Sequence, residues 1–168
     1  GGRMPDDVQD YINQQDSYKY DEGKALPEYY INMFEVCDRL AKENGRIGML
    51  VPWSFMFNQS FQDFREDFIG GRGSFDFFSE FGYDILDNAT VGTVGTVVRS
   101  QSADNQTGTF IRLADVEKSK KESKFLHAAF TDEMDEDVQR RYVRDLSEFV
   151  MVPGTTLSYW VPQELREL

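Results

Sequence analysis

The hydrophobic pattern of the chain centres on a short, almost continuous apolar run at residues 47–51. Such a run is typical of a strand buried on both faces, because helices cover both sides of a parallel sheet. Pro52 cannot donate a hydrogen bond to a neighbouring strand, so we expect the strand to end there. Ligands of open α/β sheets bind just beyond the carboxyl ends of the strands. The loop at residues 53–58 is therefore the first candidate for a functional site.

Helical periodicity flanks this strand on both sides. Apolar residues recur three and four positions apart from Tyr30 to Ala41, which predicts an amphipathic helix that ends at Asn44-Gly45. Ser60 and Asp63 have the spacing of a capping box, which predicts the start of another helix. The predicted helices cover residues 6–15, 27–44, 60–69, 116–129 and, at the end of the chain, 162–168.

Runs of β-branched and aromatic residues predict the remaining strands. They occupy residues 75–81, 91–100 and 109–113, and residues 138–146 fit either a helix or an edge strand. Residues 104–108 have the composition of a tight turn, so the two strands beside them are predicted to form an antiparallel hairpin. The pattern as a whole predicts an α/β fold, with a sheet that ends in this hairpin and helices that flank it.

The charge balance narrows the possible functions. The chain has 168 residues, enough for about one domain, and its formal net charge is −12. A self-sufficient nucleic-acid binder is normally basic, so this charge argues against that class. An acidic balance fits an ordinary soluble domain, and it leaves open a non-enzymatic acidic α/β interaction module or a protein that mimics DNA.

The single Cys37 and the single His127 exclude a disulfide framework and the usual zinc site, and we expect no metal. No apolar run approaches the roughly 20 residues that span a bilayer, and the chain does not open with a signal peptide. We therefore expect a cytoplasmic protein without a membrane partner. The chain opens with Gly1-Gly2-Arg3 instead of Met, as expected for a tag remnant or for a piece of a longer protein.

The residues alone predict no complete active site. With one His and one Cys, neither a Ser/His/Asp nor a Cys/His arrangement is available. Asp84 and Asp87 share a loop, where Asp is usually a turn former. The acidic residues at 132–136 lack the ligand spacing of a calcium loop, so we interpret them as a solvated face. The glycines at residues 92–96 lie in a strand pattern without Lys, unlike a phosphate-binding loop.

A resemblance extends this interpretation. Residues 45–56, Gly-Arg-Ile-Gly-Met-Leu-Val-Pro-Trp-Ser-Phe-Met, followed by Ser-Phe-Gln-Asp-Phe-Arg-Glu at 60–66, resemble the N6-adenine-specific DNA methyltransferases of the type IIG and BREX (phage-growth-limitation) class. Gly1-Gly2-Arg3 resembles the segment directly after the family's catalytic Asn-Pro-Pro-Tyr motif. Residues 81–87 and 91–99 resemble the region where an aromatic residue helps to hold the flipped adenine. Residues 152–154 and 158–161 resemble the Pro-Gly…Tyr-Trp segment that leads towards target recognition.

The resemblance implies that residues 1–150 form the C-terminal half of a Rossmann-like methyltransferase domain, and that residues 151–168 begin the connection to a target-recognition region. The full enzyme would flip an adenine out of duplex DNA, and the amino group would take the methyl group of S-adenosylmethionine. The family's Asn-Pro-Pro-Tyr and cofactor-binding glycine motifs are absent from the chain. The resemblance therefore implies no catalytic residue here, and an S-adenosylmethionine site in regions outside this chain. In this interpretation, the alternative of an acidic module would be a partner of a restriction system.

The resemblance also implies which residues contact the flipped base or the DNA. The candidates are Gly1, Gly2, Arg3, Trp53, Ser54, Phe55, Asn58 and Leu86. Leu86, beside Ile85, stands where the family carries the base-contacting aromatic, so the ring would come from Trp53, Phe55, Phe57 or Tyr83. Packing between the loop and the sheet is an equally good explanation for the aromatic residues. Hydrogen bonds within the loop are the alternative role for Ser54 and Asn58.

Overall fold

The core of the fold is a mixed sheet whose strands are joined and flanked by helices. A computed structural model describes residues 5–14, 19–21, 24–25, 28–70, 73–87, 90–100, 107–133 and 138–166. The strands are β1 (Lys19–Asp21), β2 (Lys24–Ala25), β3 (Arg46–Pro52), β4 (Gly73–Gly82), β5 (Thr93–Ser100), β6 (Thr107–Arg112) and β7 (Arg141–Asp145). The α-helices are α1 (Asp6–Asn13), α2 (Tyr29–Leu40), α3 (Gln62–Gly70), α4 (Lys121–Phe130), α5 (Ser147–Val150) and α6 (Gln163–Arg166).

Strand direction places three loops at one edge of the sheet. In the described part of the chain, the larger sheet has five strands in the order β3-β5-β4-β6-β7. β5 is antiparallel to both β3 and β4, and β6 is parallel to β4 and antiparallel to β7. β3, β4 and β6 therefore run in the same direction. Their carboxyl ends, at Pro52, Gly82 and Arg112, lie at the same edge of the sheet.

Helices cover this sheet unequally. One hydrophobic cluster joins α2 and α3 to the sheet through Phe34, Phe64, Phe75, Phe78 and Phe110. A second cluster packs α4 against the opposite face of the sheet. Successive side chains of a strand point to opposite faces, so Ile111 of β6 points away from Phe110 and packs with Ala128 of α4. The predicted α/β fold class with flanking helices is confirmed. The interval at residues 138–146, which the sequence left open, contains strand β7.

The prediction that residues 47–51 form a strand buried on both faces is wrong. Among the described residues, β3 is an edge strand of the sheet and is antiparallel to its neighbour β5. Ile47 and Val51 are buried, but Leu50 is 48% exposed. The reason is that helices α2 and α3 cover one face of β3, whereas the α4 cluster lies over β4 and β6. The expected end of the strand at Pro52 is confirmed.

The predicted hairpin between the strands at residues 91–100 and 109–113 is also wrong. Instead, β5 forms an antiparallel hairpin with β4, and the loop at residues 83–92 connects these two strands. β6 lies on the other side of β4, parallel to it. The composition of a turn predicts that the chain reverses direction, but it does not determine which strands pair with each other. Here Phe110 of β6 packs on Phe78 of β4, with ring centroids 5.6 Å apart. Residues 104–106 lie outside the described residues.

A buried arginine joins the loop after β3 to the C-terminal part of the chain. Helix α3 carries Arg65 among aromatic residues, and the charged Arg65 side chain is nevertheless fully buried. Its Nη1 donates to the carbonyl oxygens of Phe55 at 2.6 Å and Asn58 at 2.8 Å. Its Nη2 donates to the Gly154 carbonyl at 2.5 Å, and its Nε donates to that of Thr155 at 3.0 Å. We call these four acceptors the carbonyl cluster.

The carbonyl cluster lets Arg65 remain charged inside the protein. Burial lowers the pKa of Arg65 to about 10, and the charge of Glu66 opposes this shift. A guanidinium with a pKa near 10 is protonated at neutral pH, so each of its N–H groups needs an acceptor. The carbonyl oxygens need donors in turn, because Phe55, Gly154 and Thr155 belong to two short 3-10 helices, Trp53–Met56 and Pro153–Thr155, whose few turns leave carbonyl groups unpaired. Arg65 thus fixes the shape of both segments.

Replacement of Arg65 by Met should lower the free energy of unfolding by about 3 kcal/mol or more, because buried carbonyl oxygens lose charged donors. Denaturant titration measures this change. Arg46→Met is the matched control, since the Arg46 side chain is 61% exposed and its ion pair is with Asp76. We expect the control to cost at most about 1 kcal/mol. Equal effects of the two substitutions would contradict the proposed role of the carbonyl cluster.

Candidate functional site

Trp53 begins the loop that follows β3 and lies against the loop that follows β4. Its backbone N–H donates to the carbonyl oxygen of Gly92 at 2.9 Å. Its ring meets the ring of Tyr83 edge to face, with centroids 5.2 Å apart and an angle of 78°. A Cβ added to Gly92 would lie 2.2 Å from Trp53 Cε2, so only glycine lets the indole pack there. We call Trp53, Tyr83 and Gly92 the Trp53 corner.

Tyr83 gives the Trp53 corner an accessible aromatic surface, since its side chain is 50% exposed. Positive φ angles and hydrogen bonds from a lysine both constrain the backbone at Tyr83. The residues on either side, Gly82 and Asp84, have φ angles of 72° and 67°. Lys121 Nζ, from the start of α4, donates to the carbonyl oxygens of Phe81 and Tyr83, the latter at 3.1 Å. Burial lowers the pKa of Lys121, and the charges of Asp84 and Asp115 oppose this shift.

The structure assigns different environments to the other predicted site residues. Ser54 Oγ and Tyr30 Oη share a hydrogen bond of 3.1 Å, and burial raises the pKa of Tyr30 to about 12. The Asn58 side chain is exposed, while its carbonyl oxygen accepts from Arg65. Leu86 is exposed in the loop after β4, and the Ile85 beside it lines a cavity of about 350 Å³ next to α4.

Phe55 does not fit the predicted contact with a base. Its side chain is 0% exposed. Phe34 and Phe64 pack against it from the helices, with ring centroids 6.2 Å and 5.9 Å away. Phe75 stacks on it from β4 at 6.2 Å. Phe55 is a core residue that orients its loop from below. Gly1, Gly2 and Arg3, the remaining candidates, lie outside the described residues.

Three residues that the sequence did not bring together meet at the other end of the same loop. Phe57 is 37% exposed, and its ring meets that of Trp160 edge to face, with centroids 5.8 Å apart. The Arg112 guanidinium lies over the Trp160 ring, 4.9 Å from its centroid. We call Phe57, Trp160 and Arg112 the Trp160 platform. Phe57, in an aromatic loop, and Trp160, in the segment that resembles the family's Pro-Gly…Tyr-Trp stretch, were sequence signals, but the distant Arg112 gave none.

A buried acid lies beneath the Trp160 platform. Tyr159 Oη donates to Glu80 Oε2 at 2.5 Å, and both side chains are buried. Arg112 Nε is 3.8 Å from the same carboxylate oxygen. Burial raises the pKa of Glu80, while the Tyr159 hydrogen bond and the Arg112 charge oppose the shift. Burial and the Glu80 charge both raise the pKa of Tyr159.

The described part of the chain contains neither a cluster of metal ligands nor a membrane-crossing helix. No group of three or more His, Cys, Asp or Glu side chains is placed to hold a metal ion there. None of the helices in those ranges has the length and apolar character needed to cross a bilayer.

Comparison with known proteins identifies the fold and supports the predicted resemblance. No protein-family model matches the chain. The chain is 26% identical, over 181 residues, to the adenine-specific methyltransferase PglX of Lacticaseibacillus casei (strain Zhang). The alignment covers 99% of this chain but only 13% of that protein. The chain therefore spans a small part of the length of this relative, and its resemblance to adenine methyltransferases of this class is confirmed.

Solved structures of two type I restriction-modification subunits and of a type IIG restriction endonuclease have the same fold. The type I restriction-modification methyltransferase subunit of Streptococcus thermophilus has a TM-score of 0.64 at 12% identity, over 89% of this chain and 33% of that one. A modification subunit of a putative type I restriction enzyme from Vibrio vulnificus YJ016 has a TM-score of 0.63 at 10% identity, over 89% and 32%. The type IIG restriction endonuclease BpuSI has a TM-score of 0.54 at 11% identity, over 86% and 17%. The predicted methyltransferase-like sheet is thus confirmed as a fold.

The packing of the Trp53 corner generates a first prediction. Gly92→Ala should displace the Trp53 ring and lower the free energy of unfolding by about 1–3 kcal/mol, as overpacking typically does. Gly48→Ala is the control, because nothing lies within 4 Å of a Cβ added there. Denaturant titration measures both changes, and the emission of Trp53 in a Trp160→Phe background follows the ring. Equal stability of the two variants would contradict the packing described.

The buried acid generates a second prediction. A carboxyl group whose folded-state pKa is raised stabilises the fold below its unfolded pKa and loses that contribution as the pH rises through the folded pKa. Glu80→Gln removes this loss while retaining an acceptor for Tyr159. The difference in unfolding free energy, variant minus parent, should therefore become more favourable from pH 4 to pH 7. Denaturant titration at both pH values measures it, and a difference that moves in the opposite direction would overturn the assignment.

Proposed function

We propose that the chain is the C-terminal half of the catalytic domain of a DNA adenine-N6 methyltransferase, with residues 1–150 in that domain and residues 151–168 leading towards target recognition. The observation that carries the proposal is the alignment with PglX along 99% of the chain. The reaction of the whole protein would move a methyl group from S-adenosylmethionine to adenine in DNA, in a cytoplasmic restriction-modification or phage-defence system. The relatives favour this proposal over an acidic interaction module.

The open side of β3 supports a role as part of a larger sheet. Within the described residues, β3 pairs on one side only, with β5. Leu50 is 48% exposed, and Gly48 faces open space. An unpaired strand edge with exposed apolar residues tends to pair with a further strand. In the proposed protein, the remaining part of the catalytic domain continues the sheet at this edge.

The Trp53 corner supports contact with the flipped adenine. It lies beyond the carboxyl ends of β3 and β4, where ligands of open α/β sheets bind. Tyr83 offers an exposed ring, and stacking of a base on an aromatic ring stabilises binding by about 1–3 kcal/mol. In this proposal Tyr83 and Trp53 contact the base, and Ser54, Asn58 and Leu86 complete the wall beside it. The base contact expected at Leu86 is thus assigned to the neighbouring ring of Tyr83.

The described residues do not fit an S-adenosylmethionine site. The turn after β3 is filled by Phe55 and Met56, which are fully buried, and Arg65 occupies the space beneath it. The described loops at this edge also lack the glycine-rich turn between a strand and a helix that dinucleotide-type cofactors require. We therefore assign the cofactor and the catalytic residues to other regions of the longer protein. The net charge of −12 agrees with this division, because basic DNA contacts would lie mainly in the recognition region.

Methyl transfer by the longer protein tests the proposal. Tyr83→Leu should lower the rate of adenine-N6 methylation of duplex DNA about tenfold, since stacking is worth about 1–3 kcal/mol. Its melting temperature should change little, because Tyr83 is half exposed. Phe130→Leu is the matched control, as Phe130 is 83% exposed at the end of α4. Incorporation of labelled methyl groups measures the rate. If Tyr83→Leu and the control methylate equally well, the Trp53 corner does not hold the base.

A further inference from the structure

We infer that the Trp160 platform is a second nucleic-acid contact, which takes one unstacked nucleotide: its base packs on the platform and its phosphate accepts hydrogen bonds from Arg112. The inference rests on the proposed function, because it requires DNA at the carboxyl edge of the sheet. It concerns a different set of residues from the flipped-base contact, however. Phe57 and Trp53 lie at opposite ends of one short loop.

The aromatic part of the platform is held rigidly. The Trp160 ring is fixed edge to face by Phe57, with centroids 5.8 Å apart, and by Tyr159, with centroids 5.0 Å apart. Tyr159 is itself buried and bonded to Glu80. Ordered aromatic rings bind bases at low entropic cost and without strong sequence preference, because every base has a π-face. Phe57 keeps part of its ring accessible.

Arg112 supplies the charge that an adjacent phosphate needs. Its side chain is 38% exposed, and its guanidinium is stacked over Trp160 at 4.9 Å. The nearest ion-pair contact is the Glu80 carboxylate at 3.8 Å, which is longer than a hydrogen bond. Arg112 Nε is buried without a hydrogen-bond partner among the described residues, on the side of Glu80, so the exposed surface of the side chain belongs to its other atoms. A guanidinium that is oriented by stacking and partly exposed is suited to a phosphate oxygen, and its plane can also stack on a base.

The other acidic group near Arg112 is already engaged. Asp115 pairs with Arg140, with Oδ1 and Nη1 3.1 Å apart. Glu80 lies beneath the platform and is shared with Tyr159. A phosphate that approaches the exposed side of Arg112 therefore does not have to displace a close surface carboxylate. This local arrangement differs from the acidic balance of the chain as a whole.

The chain has two tryptophans, Trp53 and Trp160, so fluorescence can report on the two contacts separately. In Trp53→Phe, Trp160 alone emits. Titration with oligodeoxythymidylate of about ten nucleotides, within the usual range of single-strand site sizes, should quench this emission to saturation. In the same background, Arg112→Gln should weaken binding at least about fivefold and lower the slope of log affinity against log salt by about 0.7, as for the loss of one phosphate contact on a single strand.

Two controls separate this contact from general charge and from folding. Arg46→Gln removes one positive charge at the amino end of β3, at the opposite edge of the sheet, and should leave both affinity and slope almost unchanged. Phe57→Ala changes an exposed ring and should weaken binding while the melting temperature stays close to that of the parent. It gives a second reading if Arg112→Gln disturbs the fold.

The outcomes distinguish this inference from the proposed function. Quenching of Trp160 that depends on Arg112 and Phe57 supports the inference. An unchanged Trp160 emission overturns it. If Trp53 emission, read in Trp160→Phe, responds while Trp160 does not, the platform contact fails and the flipped-base contact stands. If neither responds, the inference fails, and the methylation assay alone decides the proposed function.

Discussion

The interaction on which this structure depends most is the burial of the Arg65 guanidinium among four backbone carbonyl oxygens. The loop after β3 and the segment at Pro153–Thr155 contain only short 3-10 helices, whose few turns leave carbonyl groups in need of further donors. Arg65 supplies the donors for both segments. The Leu157 backbone N–H adds a direct bond to the Met56 carbonyl oxygen at 3.1 Å. As a result, the loop after β3 and the C-terminal segment share one rigid unit at the carboxyl edge of the sheet.

This unit explains how aromatic residues come to be displayed at that edge. Phe55 and Met56 are buried beneath the loop, and the residues on either side of them, Trp53 and Phe57, therefore point towards other neighbours. Trp53 meets Tyr83, and Phe57 meets Trp160. Two accessible aromatic groups thus flank one rigid loop. A geometry of this kind suits a ligand that is extended, flat and stacked, as nucleic-acid bases are.

Part of the fold could be predicted from local patterns. The prediction of the helices with clear 3.6-residue periodicity, of the strand ending at Pro52, and of a loop beyond it required only short-range information. Strand order did not follow in the same way, because pairing depends on contacts between distant residues. The burial of β3 on one face and the parallel placement of β6 beside β4 are both consequences of where the helices pack.

The residues of the candidate site likewise differ in whether a local sequence pattern could suggest them. Trp53, Ser54 and Asn58 could be proposed as candidates because they follow a strand in sequence. The burial of Phe55 could not, since it depends on rings from α2, α3 and β4. Arg65 left one sequence signal, its position four residues after Phe61 on the apolar side of a helix. Arg112 left none, and the resemblance that includes Trp160 did not place it beside the loop, because β6 and the C-terminal segment meet the loop only in the folded chain.

We propose that this chain forms the outer part of a larger sheet and one wall of a flipped-base pocket. The structure of the longer protein bound to duplex DNA that contains a target adenine tests it most directly. The account predicts that a further strand pairs with the open side of β3 and that an extruded adenine contacts Tyr83 and Trp53. A β3 edge that remains in solvent, or an extruded base held away from these two rings, would contradict it.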